Sequence, residues 1–273
     1  TAMKTDDLWR AVLLSASDPD DRGKVAALLA GHEVQRRHDT LEAQLRELAA
    51  DADASGDSKA TSLRVEEILG GGPLDHYGVW VFYPWSGALV RLLACEHFRD
   101  VRSRRNRYKI TPEEQERLRA CRIGIVGLSV GSAVAQTLAL EGVGGEFRLA
   151  DFDRLELTNM NRIQASVDQL GLGKVVIAAR ALSELDPFLK IEAFPEGLGD
   201  ANIESFLLAD GKLDLVAEEC DDLYMKMKVR ERAREHRIPV VMETNDRGMI
   251  DIERYDLEPD RPAFHGLVGD VRA

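Results

Sequence analysis

The sequence predicts an α/β protein in three layers, a mostly parallel sheet with helices on both faces, preceded by a mainly helical N-terminal region. Three observations lead there. From Thr111 onward, short apolar runs alternate with helical stretches, the pattern that βαβ units leave in a sequence. The first of these runs, Ile123 to Val126, passes directly into a small-residue turn and then a helix. A composition of 44% hydrophobic and 31% charged residues over 273 positions suits a folded core and excludes a disordered chain.

The elements follow in order. Residues 1–103 read as helices separated by breaks. Val34, Leu41, Leu45 and Leu48 lie at helical spacing, with His38 in the gap, which predicts an amphipathic helix. It packs either on its own domain or against a second copy. Asp51 to Thr61 is small and polar and predicts a mobile loop. Gly70-Gly71-Gly72-Pro73 is a break, Val79 to Tyr83 a strand, and Gly87 to Arg102 a helix. The second region, residues 104–273, opens with Thr111, Pro112 and Glu114, an N-cap, a first-turn proline and a capping-box partner. Strands are predicted at Ile123–Val126, Phe147–Ala150, Ile191–Phe194, Leu213–Ala217 and Pro239–Met242. Helices are predicted at Ser132–Leu140, Lys174–Leu185 and Leu223–Arg237.

Composition also narrows the function. A net charge of -12 argues against a nucleic-acid or anionic-membrane binder. No stretch approaches the ~18 consecutive apolar residues of a membrane span, and the first residues lack a basic-then-apolar secretory pattern. Cys95, Cys121 and Cys220 form neither a bridging framework nor paired metal ligands, so a reducing, cytoplasmic compartment is expected. The six histidines show no ligand spacing.

Five stretches carry chemistry. In RIGIVGLSVGS, Gly127, Ser129 and Gly131 form the strand-to-helix turn, where backbone amides and the helix dipole favour a phosphate. In LADFDRLELTNMNR, Asp151 ends a strand at the place where an acid accepts ribose hydroxyls. Asp153 follows two residues later, facing the opposite side or helping to hold a metal, and Asn159, Asn161 and Arg162 lie just beyond. Lys174 opens a helix against the macrodipole, which invites a phosphate partner for its ammonium. EECDD, Glu218 to Asp222, crowds four carboxylates at a strand's C-terminal end, which suggests a magnesium-nucleotide complex or a solvated acidic loop. The basic run RDVRSRRNRYK, Arg99 to Lys109, reads as a solvated linker or as the source of an arginine that acts in trans on phosphate.

Taken in order, the Gly-rich turn, D-F-D, T-N-M-N-R, G-x-G-K and C-D-D over about residues 104–257 resemble the E1-like adenylating enzymes. These are the ThiF, MoeB and HesA group that activates ubiquitin-like and sulfur-carrier proteins. The resemblance implies a Rossmann-like ATP-binding adenylation domain. It forms an acyl-adenylate on the C-terminal carboxylate of a ubiquitin-like or sulfur-carrier protein or peptide, and releases pyrophosphate. ATP and Mg2+ are the implied cofactors. It assigns Asp151 to ribose and Asn159, Asn161 and Arg162 to the nucleotide. Arg162 and Lys174 go to the phosphates, Asp221 to magnesium, and Arg107 to the partner's site in a homodimer. Three departures stand out. The family's turn is usually Gly-x-Gly-Gly-x-Gly, whereas Ser129 and Val130 occupy its middle here. The paired Cys-x-x-Cys knuckles are missing, and no cysteine follows Cys220 to form a thioester. Some similar chains carry a flavin nitroreductase-like domain in a longer parent chain. Two other readings remain: a non-catalytic scaffold, motivated by Val130, and an NAD-dependent oxidoreductase, since Gly127, Gly131 and Asp151 also suit a dinucleotide.

Overall fold

The computed structural model describes residues 9–50, 58–244 and 248–268. It divides the chain into two compact units, Thr1–Thr111 and Pro112–Ala273.

The first unit comprises β1 (Val12–Ser15), α1 (Pro19–Ala30), β2 (Arg36–Asp39), α2 (Leu41–Ala49), α3 (Ser58–Leu69), β3 (Val79–Tyr83), β4 (Ala88–Leu92) and α4 (Cys95–Ser103). Helical residues outnumber strand residues, but the unit also holds a four-stranded sheet of order β1-β3-β4-β2. Two sequence expectations change here. The helix expected through Val34 to Leu48 begins only at Leu41, because Arg36–Asp39 form an exposed edge strand paired in parallel with β4. The helix expected over Gly87 to Arg102 is a strand followed by a helix. Ala88–Leu92 returns antiparallel against β3 through a tight turn in which Gly87 has φ of +62°. A short apolar run fits a buried strand as well as a buried helix, and the turn residues decide between them. Leu41 and Leu45 pack within their own unit, around Leu93 and beside Phe98 and Val101. Most of the Asp51 to Thr61 stretch lies outside the described residues, and α3 begins at Ser58.

The second unit runs α5 (Pro112–Arg119), β5 (Arg122–Val126), α6 (Gly131–Glu141), β6 (Glu146–Ala150), α7 (Lys174–Leu185), β7 (Lys190–Phe194), α8 (Ile203–Leu208), β8 (Leu215–Glu218), α9 (Leu223–Glu235), β9 (Val240–Glu243) and β10 (Ile250–Glu253). Its six strands lie in the order β10-β9-β8-β5-β6-β7. All neighbours are parallel except β10, which is antiparallel to β9. Parallel strands need cover on both faces. One face buries Val126, Phe194, Phe206, Val216, Val229 and Val240 in a single core with residues of α8 and α9. Helices α6 and α7 are amphipathic or apolar and pack against each other, and α7 is buried along most of its length.

The topology positions the site. Chain order runs outward from β5 in both directions, toward β6 on one side and β8 on the other, so the connections leave a crevice at the C-terminal ends of β5 and β8. The crevice is closed by backbone bonds. Gly127 donates to the Ala150 carbonyl at 2.9 Å and Glu219 to the Val126 carbonyl at 2.7 Å. Gly127 has φ of +84°, and a Cβ there would stand 2.7 Å from the Cys220 nitrogen, so only glycine fits. Among the described residues no helix is long and apolar enough to cross a membrane.

Candidate functional site

A cavity of about 280 Å³ opens at this crevice. Strand ends and the turns after them supply its wall: Val126, Gly127 and Ser129 after β5, Ala150 to Asp153 after β6, Gly197 and Leu198 after β7, and Glu219 to Asp222 after β8. Lys174 and Met225 complete it from α7 and α9. Of the residues singled out in the sequence, Gly127, Ser129, Asp151, Asp153, Lys174 and Asp221 line this one cavity.

Asp151 organises the turn. Its Oδ2 accepts the Leu128 N–H at 2.7 Å and its Oδ1 the Asp153 N–H at 2.7 Å. Each oxygen keeps a second lone pair for a ligand hydroxyl. Burial raises its pKa above the ordinary carboxylate value, offset in part by those two N–H groups. Lys174 is almost fully buried, and its Nζ lies 2.7 Å from Asp153 Oδ2. Gly131 does not line the cavity but starts α6, close against Ile125 and the Glu219 side chain. Val130 stands immediately before α6 in helical backbone conformation and is likewise absent from the cavity wall.

The polar loop after β6 sits beside the cavity. Asn159 Oδ1 accepts the Glu156 N–H at 3.0 Å, closing a capping box on the 3-10 turn Leu157–Asn159. Asn161 Oδ1 accepts from Arg162 Nη1 at 3.0 Å, and Arg162 Nε donates to Ser129 Oγ at 2.8 Å. Arg162 therefore reaches the cavity through Ser129. Arg107 lies in the other unit, where its Nη2 pairs with Asp100 at 2.6 Å.

The carboxylates of EECDD do not converge. Glu218 is fully buried and turns to α9, where Arg230 Nη1 stands 2.7 Å from its Oε2 and Lys226 Nζ 3.1 Å from its Oε1. Asp222 caps α9 by accepting the Met225 N–H at 3.2 Å. The crowding of acids seen in the sequence is thus partly answered within the chain, by two cations at Glu218 and a helix cap at Asp222. Glu219, Asp221 and Asp222 line the cavity. Burial pushes the Glu219 carboxyl up to about 7, although the Glu243 N–H, 3.1 Å from its Oε1, opposes that shift. Burial and the neighbouring Glu218 push the Cys220 thiol well above its usual range, which leaves it a poor nucleophile. Among the described residues no three His, Cys, Asp or Glu side chains group closely enough to hold a metal by themselves.

Sequence reasoning did not single out Phe152, Gly197, Leu198 and Met225. Phe152 is 75% exposed and packs beside Gly197 at the cavity mouth. The one signal for them was position, immediately after a strand end or in the first turn of a helix.

A doubly wound sheet with a glycine turn, an acid on the next strand and a lysine in one crevice defines a nucleotide-binding α/β protein in architecture. Residues 103–247 match the ThiF family, and the chain belongs to that family. It is 51% identical over 194 residues to uncharacterized protein MT1398 of Mycobacterium tuberculosis, covering 71% of this chain and 27% of that one. It is 35% identical over 125 residues to ubiquitin-like modifier-activating enzyme 5 of Caenorhabditis elegans, covering 42% and 30%. Among solved structures, E. coli tRNA N6-threonylcarbamoyladenosine dehydratase, TcdA, in complex with AMP superposes with a TM-score of 0.50 at 25% identity, covering 56% of this chain and 62% of that chain. The chain spans about a third or less of the length of the curated relatives it matches.

Proposed function

We propose that the chain binds ATP in this cavity and adenylates a carboxylate at the C-terminus of a ubiquitin-like protein, sulfur carrier or peptide. The observation that carries the reading is the placement of Gly127, Asp151, Lys174 and Asp221 on one cavity at the sheet's switch point. Family membership supports it, as do the ATP and AMP complexes of TcdA. The glycine turn at Gly127 and Ser129, which leads into α6, receives phosphate oxygens. Asp151 takes the ribose hydroxyls on its free lone pairs, and the apolar side chains of Phe152, Leu198 and Met225 border the base.

In the reaction, an acceptor carboxylate oxygen attacks the α-phosphorus. The bond from that phosphorus to the bridging oxygen breaks, and pyrophosphate leaves with the electron pair. Negative charge grows on the phosphorus oxygens and on the leaving group. Lys174 and Arg162 stabilise it electrostatically, with no proton transfer required. Lys174 exchanges its bond to Asp153 for one to phosphate. Magnesium, when bound, neutralises charge on the phosphates. Asp221, an exposed carboxylate on the cavity wall, would hold it by one oxygen donor, a fit for a metal shared with the nucleotide rather than caged by the protein alone. In a homodimer, Arg107 leaves Asp100 to serve the partner's phosphates.

Thermal shift of the purified chain tests the reading, because a ligand that binds only the folded state raises the melting point. The expected result is a rise with ATP and magnesium and none with NAD. An NAD-specific rise favours the oxidoreductase instead. A flat response to both, with no acceptor-dependent exchange of labelled pyrophosphate into ATP, removes the proposal.

A further inference from the structure

Arg162 is exposed and does not line the cavity, yet its guanidinium is held in one place. Nε donates to Ser129 Oγ at 2.8 Å, and Nη1 donates to Asn161 Oδ1 at 3.0 Å and to the Thr158 carbonyl at 3.5 Å. Nη2 bonds to none of the described residues, so both of its N–H groups remain for a ligand. Thr158 and Asn161 belong to Arg162's own loop. Ser129 is the one of these three partners that belongs to the glycine turn and to the cavity wall.

We propose that Ser129 is a positioning residue for Arg162. Its hydroxyl ties the arginine to the glycine turn and presents the free Nη2 edge to a phosphate bound there. The inference rests on the proposed ATP site and adds to it a specific fixed anion fork. The chemistry is favourable on both sides of the bond. Ser129 Oγ accepts from Nε and keeps its own proton to donate elsewhere. A planar guanidinium already fixed at Nε and Nη1 loses little freedom when a phosphate engages Nη2. A second bond anchors the serine, whose carbonyl accepts from Ser132 Oγ at 3.2 Å in the first turn of α6. Turn, helix start and arginine loop therefore meet at one residue.

The test measures ATP and adenosine affinity calorimetrically for wild type, Ser129→Ala, Ser129→Thr, Arg162→Ala and the double variant Ser129→Ala/Arg162→Ala. Loss of one charge-assisted bond predicts an ATP Kd raised about five- to tenfold in Ser129→Ala. Adenosine affinity and melting temperature stay unchanged, and Ser129→Thr restores ATP affinity. On the Arg162→Ala background, Ser129→Ala has no further effect, because the hydroxyl acts through the arginine. Wild-type ATP affinity in Ser129→Ala overturns the inference while leaving the ATP site standing. So does an undiminished effect in the double variant, which makes the hydroxyl a direct contact, or a parallel loss of adenosine binding, which makes it structural. Absence of ATP binding by wild type removes the ATP site and this inference together.

Discussion

Lys174 and Asp153 hold each other twice. The lysine Nζ lies 2.7 Å from Asp153 Oδ2, and the lysine backbone N–H donates to the Asp153 carbonyl at 2.9 Å. The backbone bond pins the start of α7 to the loop after β6, and the side-chain bond keeps an ammonium inside the cavity wall. A cation at a helix N-terminus opposes the helix dipole, and Asp153 compensates locally.

The pair separates binding from stability. In Lys174→Met the aspartate is left half-exposed and solvated, so urea unfolding should lose no more than about 1 kcal/mol. ATP affinity should fall about 10- to 100-fold with the loss of a charged phosphate partner. Wild-type ATP affinity in calorimetry of this variant would remove Lys174 from the phosphate site.

Arg230 is the converse case, a buried charge that serves the fold. It is fully buried, 2.7 Å from Glu218 and 2.6 Å from Glu253, both also fully buried, with its guanidinium 4.0 Å above the Phe264 ring. Arg230→Met should cost about 3–5 kcal/mol by urea midpoint, because Glu253 loses its cation and Glu218 keeps only Lys226. Arg230→Met/Glu253→Leu should recover part of that loss, since the stranded charge goes too. A double variant less stable than the single one would show that the stranded charge is not the main cost and that Glu253 stabilises the fold through another bond, such as the one it accepts from the Phe264 N–H.

Much of the second unit was legible. Five strands, a glycine turn and a helix-opening lysine are readable along the sequence, because each depends on local periodicity and turn chemistry. What stayed hidden depends on distant pairing. Arg36–Asp39 is polar on every residue and becomes a strand only because β4 lies beside it. Ile250–Glu253 likewise needs β9, and its acids turn inward to Arg230 while Ile250 and Ile252 face outward, the reverse of an ordinary pattern. In EECDD the sequence displayed the charge, but not that Arg230 and Lys226, eight and more residues away, would answer it. At the cavity, polar residues announced themselves by chemistry, while Leu198 and Met225 are ordinary apolar residues until the fold places them.

Glu204 makes a pH-dependent link between α8 and α9. Its bonds to Arg232 Nε at 2.6 Å and to His236 Nε2 at 2.9 Å hold its carboxyl below the usual value. A carboxylate depressed in the folded state contributes stability above its unfolded pKa, near 4.3, and loses that contribution as pH falls through the folded value. At about pH 5 and above, Glu204→Gln should therefore melt lower than wild type, and the margin should close as the pH falls below about 4. A margin that stays open or widens as the pH falls well below about 4 would contradict the depressed carboxyl. The link is solvent-exposed, so the margin should be small and should shrink in high salt.

Asp221 and Asp222 are chemically identical neighbours on the same cavity, and their surroundings give them different work. Asp222 Oδ1 accepts the Met225 N–H at the start of α9. Asp221 is exposed and makes no hydrogen bond with any described residue. Removing a helix N-cap costs about 0.5–2 kcal/mol, so Asp222→Ala should lower the melting temperature whether or not nucleotide is present. Asp221→Asn should leave the melting temperature of the free protein unchanged, because no folded-state bond is lost. In the proposed site its effect belongs to the cation: wild-type ATP affinity should tighten when magnesium is added, and in Asp221→Asn that tightening should largely disappear while affinity for ATP in excess chelator stays at the wild-type value. Calorimetry with and without magnesium decides it. Equal magnesium dependence in Asp221→Asn and wild type would take the metal away from Asp221, and a matching loss in Asp222→Asn, which retains a capping oxygen, would hand it to the next residue.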